Sequence, residues 1–155
     1  MIEEVLTDLA PLTEQKDITL TSEGDAQTIG SDTLIYRLLF NLAENAIRYG
    51  APSSTVQIST HDEGDRVLLR VRDQGPGIPE QYQTSIFQPF FRVDKSRSRA
   101  YGGVGLGLAL VWEIAALHGG SIEVEKSSER GTTMLVTLPA HNIEDVTKGQ
   151  SLCHI

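Results

Sequence analysis

The chain has 155 residues, of which 39% are apolar and 22% charged, a composition typical of one globular domain. Its formal net charge of −8 excludes a general nucleic-acid-binding protein, because contacts with phosphates need a basic surface. No apolar run approaches the ~20 residues of a membrane span, the first residues lack the layout of a signal peptide, and the lone Cys153 cannot form an internal disulfide, which together indicate a cytoplasmic compartment.

The first third of the chain predicts two helices separated by two strands. The expected elements are a helix over residues 2–10, a strand over 18–22, a short partner strand over 26–29 and an amphipathic helix over 32–48. Pro11 would end the first helix. Ser31 is a good N-cap for the long helix, and Gly50 would stop it.

The rest of the chain predicts two hairpins and a second long helix. The expected elements are a hairpin with strands near 56–60 and 67–71, a short helix from Pro79 to about Phe87, a loop over 88–102, a helix over 106–117 and a hairpin with strands near 122–124 and 134–138. The helix over 106–117 is apolar nearly all round and should be largely buried. Mostly antiparallel strands with helices on one face predict an α+β fold, a two-layer α/β sandwich, and not a doubly wound dinucleotide fold.

A Gly-x-Gly turn follows the first hairpin in the sequence DQGPGIP, which begins at Asp73 and contains Gly75 and Gly77. A carboxylate at this point can accept a hydrogen bond from an exocyclic amine such as adenine N6, and the small turn residues leave room for a flat base. The alternative is that Asp73 merely caps its own turn. Taken alone, this motif favours the capping role.

Asn41 and Asn45 lie four residues apart and therefore share one face of the first long helix. A side-chain carbonyl is a hard oxygen ligand that suits Mg²⁺. The alternative is a polar stripe on a surface helix. The neighbouring Leu42 and Ala46 belong to the apolar face, which puts both amides near the edge of the core. This position favours a functional role for the two amides over a polar surface stripe.

A glycine cluster and a basic segment precede the second long helix. Backbone amides at a helix start suit phosphates, and basic side chains beside them add positive charge. The residues concerned are Arg92, Lys95, Arg97, Arg99, Gly103, Gly105 and Gly107. The alternatives are a flexible connector and a solvated loop. In an acidic protein, phosphate charge explains the basic segment better.

In order and spacing, NLAENAIRYG, DQGPGIP, FQPFFR and GVGLGL resemble the N, G1, F and G2 boxes of the sensor histidine kinase catalytic domain. That domain belongs to the ATPase superfamily shared with DNA gyrase B, the large heat-shock chaperone and MutL. The resemblance covers about residues 18–139. It implies the Bergerat ATP-binding fold, in which a mixed, mostly antiparallel sheet packs on three helices, with a mobile ATP lid over residues 88–106.

The resemblance also implies a role for individual residues. Asn45 would ligate Mg²⁺ with Asn41 beside it, Asp73 would bind adenine N6, and Arg92 would lie near the γ-phosphate. The catalytic residues would thus be Asn41, Asn45 and Arg92. The other nucleotide-binding residues implied are Arg48, Tyr49, Gly75, Gly77, Ile78, Phe90, Gly103, Gly105, Leu106, Gly107 and Leu108. Phe87, Phe90 and Phe91 would anchor the start of the lid.

One departure from the superfamily pattern decides between activities. The hydrolysing relatives carry a glutamate base at the position of Asn41, and an amide cannot take a proton from water. The chain is therefore expected to be a kinase domain that donates the γ-phosphoryl group of Mg-ATP to a histidine. The alternatives are an ATP-hydrolysing relative, a serine kinase of the anti-sigma type and a non-catalytic nucleotide-binding module.

The chain contains no H-E type acceptor motif, so the resemblance implies a catalytic fragment of a larger kinase. Residues 1–12 would be the tail of a preceding helical hairpin, 13–140 the catalytic domain and 141–155 a flexible tail. The expected partners are the phosphoacceptor histidine domain and a response regulator. The full-length protein would be a homodimer anchored in the inner membrane, with this part cytoplasmic and monomeric.

Overall fold

The computed structural model describes residues 1–91, 106–140 and 149–155. The α-helices of these residues are α1 (Ile2–Asp8), α2 (Ala10–Lys16), α3 (Asp32–Tyr49) and α4 (Gly107–Leu117). The strands are β1 (Thr19–Glu23), β2 (Gln27–Ile29), β3 (Thr55–Asp62), β4 (Arg66–Arg72), β5 (Ser121–Ser128), β6 (Gly131–Pro139) and β7 (Leu152–His154). Two 3₁₀ helices, Glu80–Tyr82 and Ser85–Phe87, stand where the sequence predicts one short helix.

Five strands form the main sheet in the order β1-β3-β4-β6-β5. Only β1 and β3 run parallel, and the other three pairs are antiparallel. Both predicted hairpins are present, because alternating apolar residues and short polar turns fix their register. β4 lies at the centre and presents Val67, Leu69 and Val71 to the core. The predicted α+β sandwich is confirmed.

The long helix α3 supplies much of the core. Its apolar face is almost completely buried through Ile35, Leu38, Leu39, Leu42 and Ile47, and each side chain of this size stabilises the fold by about 1.5–3 kcal/mol. The Oγ of Ser31 accepts a hydrogen bond from the amide of Leu34 at 3.4 Å, which confirms the predicted N-cap. α3 also packs on α4, which fixes the two helices relative to one another.

The chain start differs from the prediction. Pro11 does not end a helix but lies in the first turn of α2, where its missing N–H costs nothing. Ile2 and Val5 of α1 are buried in the same core as α3. The boundary expected between residues 12 and 13 therefore falls inside α2, and the division of the chain stays a prediction.

The chain end also differs. β2 does not pair with β1 but runs antiparallel to β7, with Thr28 opposite Cys153. Cys153 and Ile155 are buried, so the prediction of a flexible tail is wrong for these last residues. The sequence missed this strand because three residues carry too little periodicity. Residues 141–148 lie outside the described residues.

The prediction that the second long helix is largely buried is wrong on one face of α4. Trp112 is 49% exposed and Leu117 is 75% exposed, whereas Val111 and Ile114 are buried. The sheet and α3 cover only one side of α4, and the apolar composition of a helix does not show which of its sides is covered.

Candidate functional site

Asp73 lies directly after β4 and is only 8% exposed. Within the described residues, both hydrogen bonds to its carboxylate end on Oδ1, from the amides of Gly75 at 2.9 Å and Thr132 at 3.2 Å. Burial raises the pKa of Asp73, against the lowering effect of these two amides and of the Lys16 charge. Asp73 thus caps its own turn with one oxygen, and Oδ2 retains the capacity to accept a hydrogen bond.

Close backbone approaches explain the glycines of this turn. A Cβ on Gly75 would lie 2.3 Å from the carbonyl oxygen of Tyr49, and a Cβ on Gly131 would lie 2.1 Å from that of Asp73. Gly77 has a φ of +83° and approaches the Ser128 carbonyl equally closely. Any side chain at these positions would displace backbone, so the glycines bring the turn against both α3 and the β5–β6 hairpin.

The turn is tied to the same hairpin by side-chain hydrogen bonds. The amide of Ile78 donates to the Oγ of Ser127 at 2.7 Å, and that Oγ lies 2.9 Å from the Oγ1 of Thr132. Ser127 and Thr132 were not singled out by the sequence, because two hydroxyl residues in a hairpin carry no signal of their own. We call Asp73, Gly75, Gly131 and Thr132 the base end of the site.

Asn41 and Asn45 lie on the half-buried side of α3, as their spacing predicts. The Nδ2 of Asn41 donates to the Arg37 carbonyl at 2.8 Å, and its Oδ1 would lie 3.5 Å from a Cβ on Gly107. No hydrogen bond of the Asn45 side chain occurs in the described part of the chain, so its carbonyl can ligate a cation. We call this surface of α3, formed by Asn41 and Asn45, the amide face.

The last turn of α3 carries Arg48 and Tyr49. Arg48 forms an ion pair with Glu44 at 2.8 Å, one helical turn away. The Tyr49 side chain is 40% exposed, and its carbonyl contacts Gly75. Glu44 thus directs the guanidinium along the helix surface, and the expected phosphate contact of Arg48 stays a prediction.

The three phenylalanines expected to anchor the lid differ in burial. Phe87 is buried and its ring centroid lies 5.3 Å from that of Trp112, while Phe91 packs on Tyr82 at 5.7 Å. Phe90 is 70% exposed and has a φ of +63°. The anchoring role predicted for Phe90 is therefore wrong, and its predicted contact with nucleotide stays a prediction.

The other apolar contacts predicted for the pocket are Ile78, Leu106 and Leu108. Ile78 and Leu108 are half-buried, and Leu106 is 41% exposed at the N-cap of α4. The predicted residues Arg92, Gly103 and Gly105 lie outside the described residues.

Comparison with known proteins shows the family to which the chain belongs. Residues 30–142 match the family described as histidine kinase-, DNA gyrase B- and HSP90-like ATPase. The chain belongs to this family. The ATPase family match covers α3, the base end and α4, so it includes every described residue of the predicted site.

Two relatives of the chain are histidine kinases, which indicates the branch of the family to which it belongs. The chain is 42% identical over 107 residues to the circadian input-output histidine kinase CikA of Synechococcus elongatus, covering 69% of the chain and 14% of the relative. It is 39% identical over 127 residues to the sensor-like histidine kinase SenX3 of Mycolicibacterium smegmatis, covering 82% of the chain and 33% of the relative. The chain thus spans a third or less of the length of these two relatives.

Solved structures agree with this assignment. The catalytic domain of the histidine kinase ThkA, in a nucleotide-free form, has a TM-score of 0.76 at 29% identity and covers 90% of the chain and 91% of its own. The mycobacterial sensor histidine kinase MprB gives 0.72 at 27%, covering 92% and 96%. Full-length ShkA in complex with AMPPNP gives 0.73 at 24%, covering 90% and 29%, and supports the fold alone. The predicted Bergerat fold is confirmed.

This ATPase-family site brings three separate segments of the chain together. Tyr49 links α3 to the turn at Gly75, and Asn41 links α3 to the start of α4 at Gly107. Among the residues described, no group of three or more His, Cys, Asp or Glu could hold a metal ion. No helix in the described ranges is long and apolar enough to cross a membrane.

Sequence reasoning missed one charged residue next to the site. Lys16, at the end of α2, donates three hydrogen bonds to carbonyls near the end of α3. A single lysine between a helix and a strand carries no signal that could have singled it out.

Proposed function

We propose that the chain binds Mg-ATP and donates the γ-phosphoryl group to a histidine on a separate dimerisation and phosphoacceptor domain. The observation that carries the proposal is the buried carboxylate of Asp73, whose hydrogen bonds within the described residues all end on Oδ1 and whose turn meets the last turn of α3. A site with one oriented acceptor for a base and amide oxygens for a cation is suited to a nucleotide.

The base end fits adenine. The Oδ2 of Asp73 can accept a hydrogen bond from the exocyclic amine, and its orientation is fixed because Gly75 and Thr132 hold the other oxygen. The glycines keep side chains out of the surrounding turn. A carboxylate fixed in this way rejects a base that presents a carbonyl oxygen at the same position, because two acceptors would face one another.

The amide face fits the metal-bound triphosphate. Mg²⁺ bound there would neutralise phosphate charge, and it prefers hard oxygen ligands such as the Asn45 carbonyl. Asn41 would border the same space from the preceding turn, next to Gly107. Arg48 would serve the phosphates after leaving Glu44, and Arg92, Gly103 and Gly105 would serve them from the segment that precedes α4.

Transfer to histidine is favoured over hydrolysis by the residue at position 41. Asn41 has an amide whose Nδ2 is engaged with the Arg37 carbonyl, and an amide cannot accept a proton from an attacking water. The catalytic contribution of the chain would then be positioning and electrostatic stabilisation of the phosphoryl group. The attacking imidazole, and any base that assists it, would come from the acceptor domain.

The partners follow from this role. They are the phosphoacceptor histidine domain of the same kinase and a response regulator that receives the phosphoryl group. The complete protein is proposed to be a homodimeric sensor kinase anchored in the inner membrane, with this domain on the cytoplasmic side.

The experiment is a fate assay with γ-labelled ATP and Mg²⁺, after binding has been confirmed by calorimetry. We expect bound ATP, almost no released phosphate and no labelled chain, because the proposal places the acceptor histidine on a separate domain. An Asn41→Glu variant supplies the control, since it introduces a carboxylate where the hydrolysing relatives carry their base, and its phosphate release should rise. Steady phosphate release by the unaltered chain would overturn the proposal in favour of a hydrolase.

A further inference from the structure

Lys16 binds the C-terminal end of α3 with its side chain. Its Nζ donates to the carbonyl oxygens of Ile47 at 2.9 Å, Arg48 at 2.8 Å and Gly50 at 2.7 Å. The backbone takes part as well, because the Lys16 carbonyl accepts from the amide of Ser53 at 3.0 Å. One residue therefore holds both the last turn of α3 and the connection that leads from it to β3.

The position of this cation has a clear electrostatic reason. The last four carbonyls of a helix lack partners within the helix, and together they form the negative end of its dipole. The amide of Gly50 satisfies the Ala46 carbonyl, and Lys16 satisfies those of Ile47 and Arg48. An ammonium group with three donors matches this cluster of acceptors.

The same end of α3 forms one wall of the base end. The carbonyl of Tyr49 is the group that a side chain at Gly75 would strike, so the position of the last turn sets the position of the turn after Asp73. The Lys16 charge also acts directly on the Asp73 carboxylate and opposes the rise that burial causes in its pKa. Lys16 thus acts on Asp73 both through the backbone and through its charge.

We propose that Lys16 is a positioning residue for adenine recognition, which holds the end of α3 against the Gly75 turn and so keeps the Asp73 carboxylate oriented. This inference rests on the proposed binding of ATP. It assigns Lys16 no contact with the nucleotide. Its consequence is that the loss of Lys16 impairs discrimination between bases more than affinity for the triphosphate.

The test compares ATP with inosine triphosphate, which carries a carbonyl oxygen where adenine carries its amino group. Dissociation constants for both are measured by calorimetry with the whole chain and its Lys16→Met variant. We expect Lys16→Met to weaken ATP binding about tenfold, the effect of impairing one hydrogen bond to a charged group. Binding of inosine triphosphate should change by less than about twofold, because it makes no use of that acceptor.

Two further variants separate this role from a general effect of charge or stability. Lys16→Arg keeps the charge and the donors and should recover most of the preference for ATP. Lys126→Met removes a lysine that is exposed on β5 and should leave both constants unchanged. If Lys16→Met does not fold, Lys16→Gln replaces it, and a smaller shift in the same direction is expected, because glutamine keeps an N–H donor and loses the charge.

Each outcome decides a different question. An equal loss of affinity for both nucleotides, or an unchanged ATP constant in the folded variant, overturns the role of Lys16. Absence of ATP binding by the unaltered chain instead overturns the proposed function, since the inference presupposes that binding.

Discussion

The base end and the amide face both adjoin α3 but are built differently. At the base end, backbone meets backbone, because Gly75 and Gly131 leave no room for a Cβ and two amides fix Asp73. On the amide face, Asn41 and Asn45 project from the half-buried side of a helix whose stability comes from its buried apolar side chains. The difference shows that a change at a base-end glycine acts on geometry and fold together, whereas one on the amide face acts on chemistry alone.

The largest effect is expected from Asp73→Asn. The amide can still accept from Gly75 and Thr132, but its NH₂ group would meet the amine of adenine, so affinity for ATP should fall about 100-fold. Because burial raises the pKa of Asp73, the folded state binds the proton of this carboxyl group more tightly than the unfolded state does. The free energy of unfolding therefore falls as pH rises from the unfolded-state pKa to the higher folded-state pKa.

Asp73→Asn removes that titration, so its thermal stability at neutral pH should equal or exceed that of the unaltered chain. Calorimetric titration and a thermal melt check both statements. Near-normal ATP affinity in this variant would remove Asp73 from the adenine site.

A smaller effect, on the fold itself, is expected from Gly75→Ala. The new Cβ would lie 2.3 Å from the Tyr49 carbonyl, and that backbone must move, which should lower the free energy of unfolding by about 2–3 kcal/mol. Gly64→Ala is the control, because its Cβ meets nothing within 4 Å and only its φ of +94° costs stability, about 1 kcal/mol. Denaturant unfolding measures both values, and equal losses would show that the close approach has no role.

The smallest structural effect is expected from Asn45→Ala. Alanine favours the helix, so the free energy of unfolding should change by less than about 0.7 kcal/mol, while the improvement that Mg²⁺ brings to ATP affinity should disappear. ATP titrations with Mg²⁺ and with a chelator provide the measurement. Thr33→Ala, exposed in the first turn of α3, is the matched control and should keep the full response to Mg²⁺. The same response in Asn45→Ala would argue against a metal ligand at this position.

Much of the fold could be predicted because its elements are long and periodic. The apolar stripe of α3 and the alternation in β3 and β4 each specify one structure and one buried face. β7 could not be predicted, because a three-residue strand is stabilised only by a distant partner. Pro11 was misread, because proline stops a helix and also suits the first turn of the next one.

The residues of the candidate site that belong to sequence motifs could be predicted. Two spacings reveal the predicted residues: glycines two and four positions after Asp73, and asparagines at positions 41 and 45, one helical turn apart. Lys16 and Thr132 could not be found in this way, because their contacts join residues more than 30 positions apart. Nor could the sequence show that Arg48 pairs with Glu44, since several partners compete for a guanidinium group at a helix end.

The pairing of β2 with β7 has a consequence for the order of folding. The hydrogen bond between Gln27 and His154 joins positions 127 residues apart, and closing a loop of that size costs about 4 kcal/mol of chain entropy. Two strands of three residues recover little of it until the core already holds them near one another. The pairing of β2 with β7 should therefore form last, after α3 and the hairpins have assembled the candidate site. In the native state, the amide hydrogens of these two strands should exchange before those of the central strands.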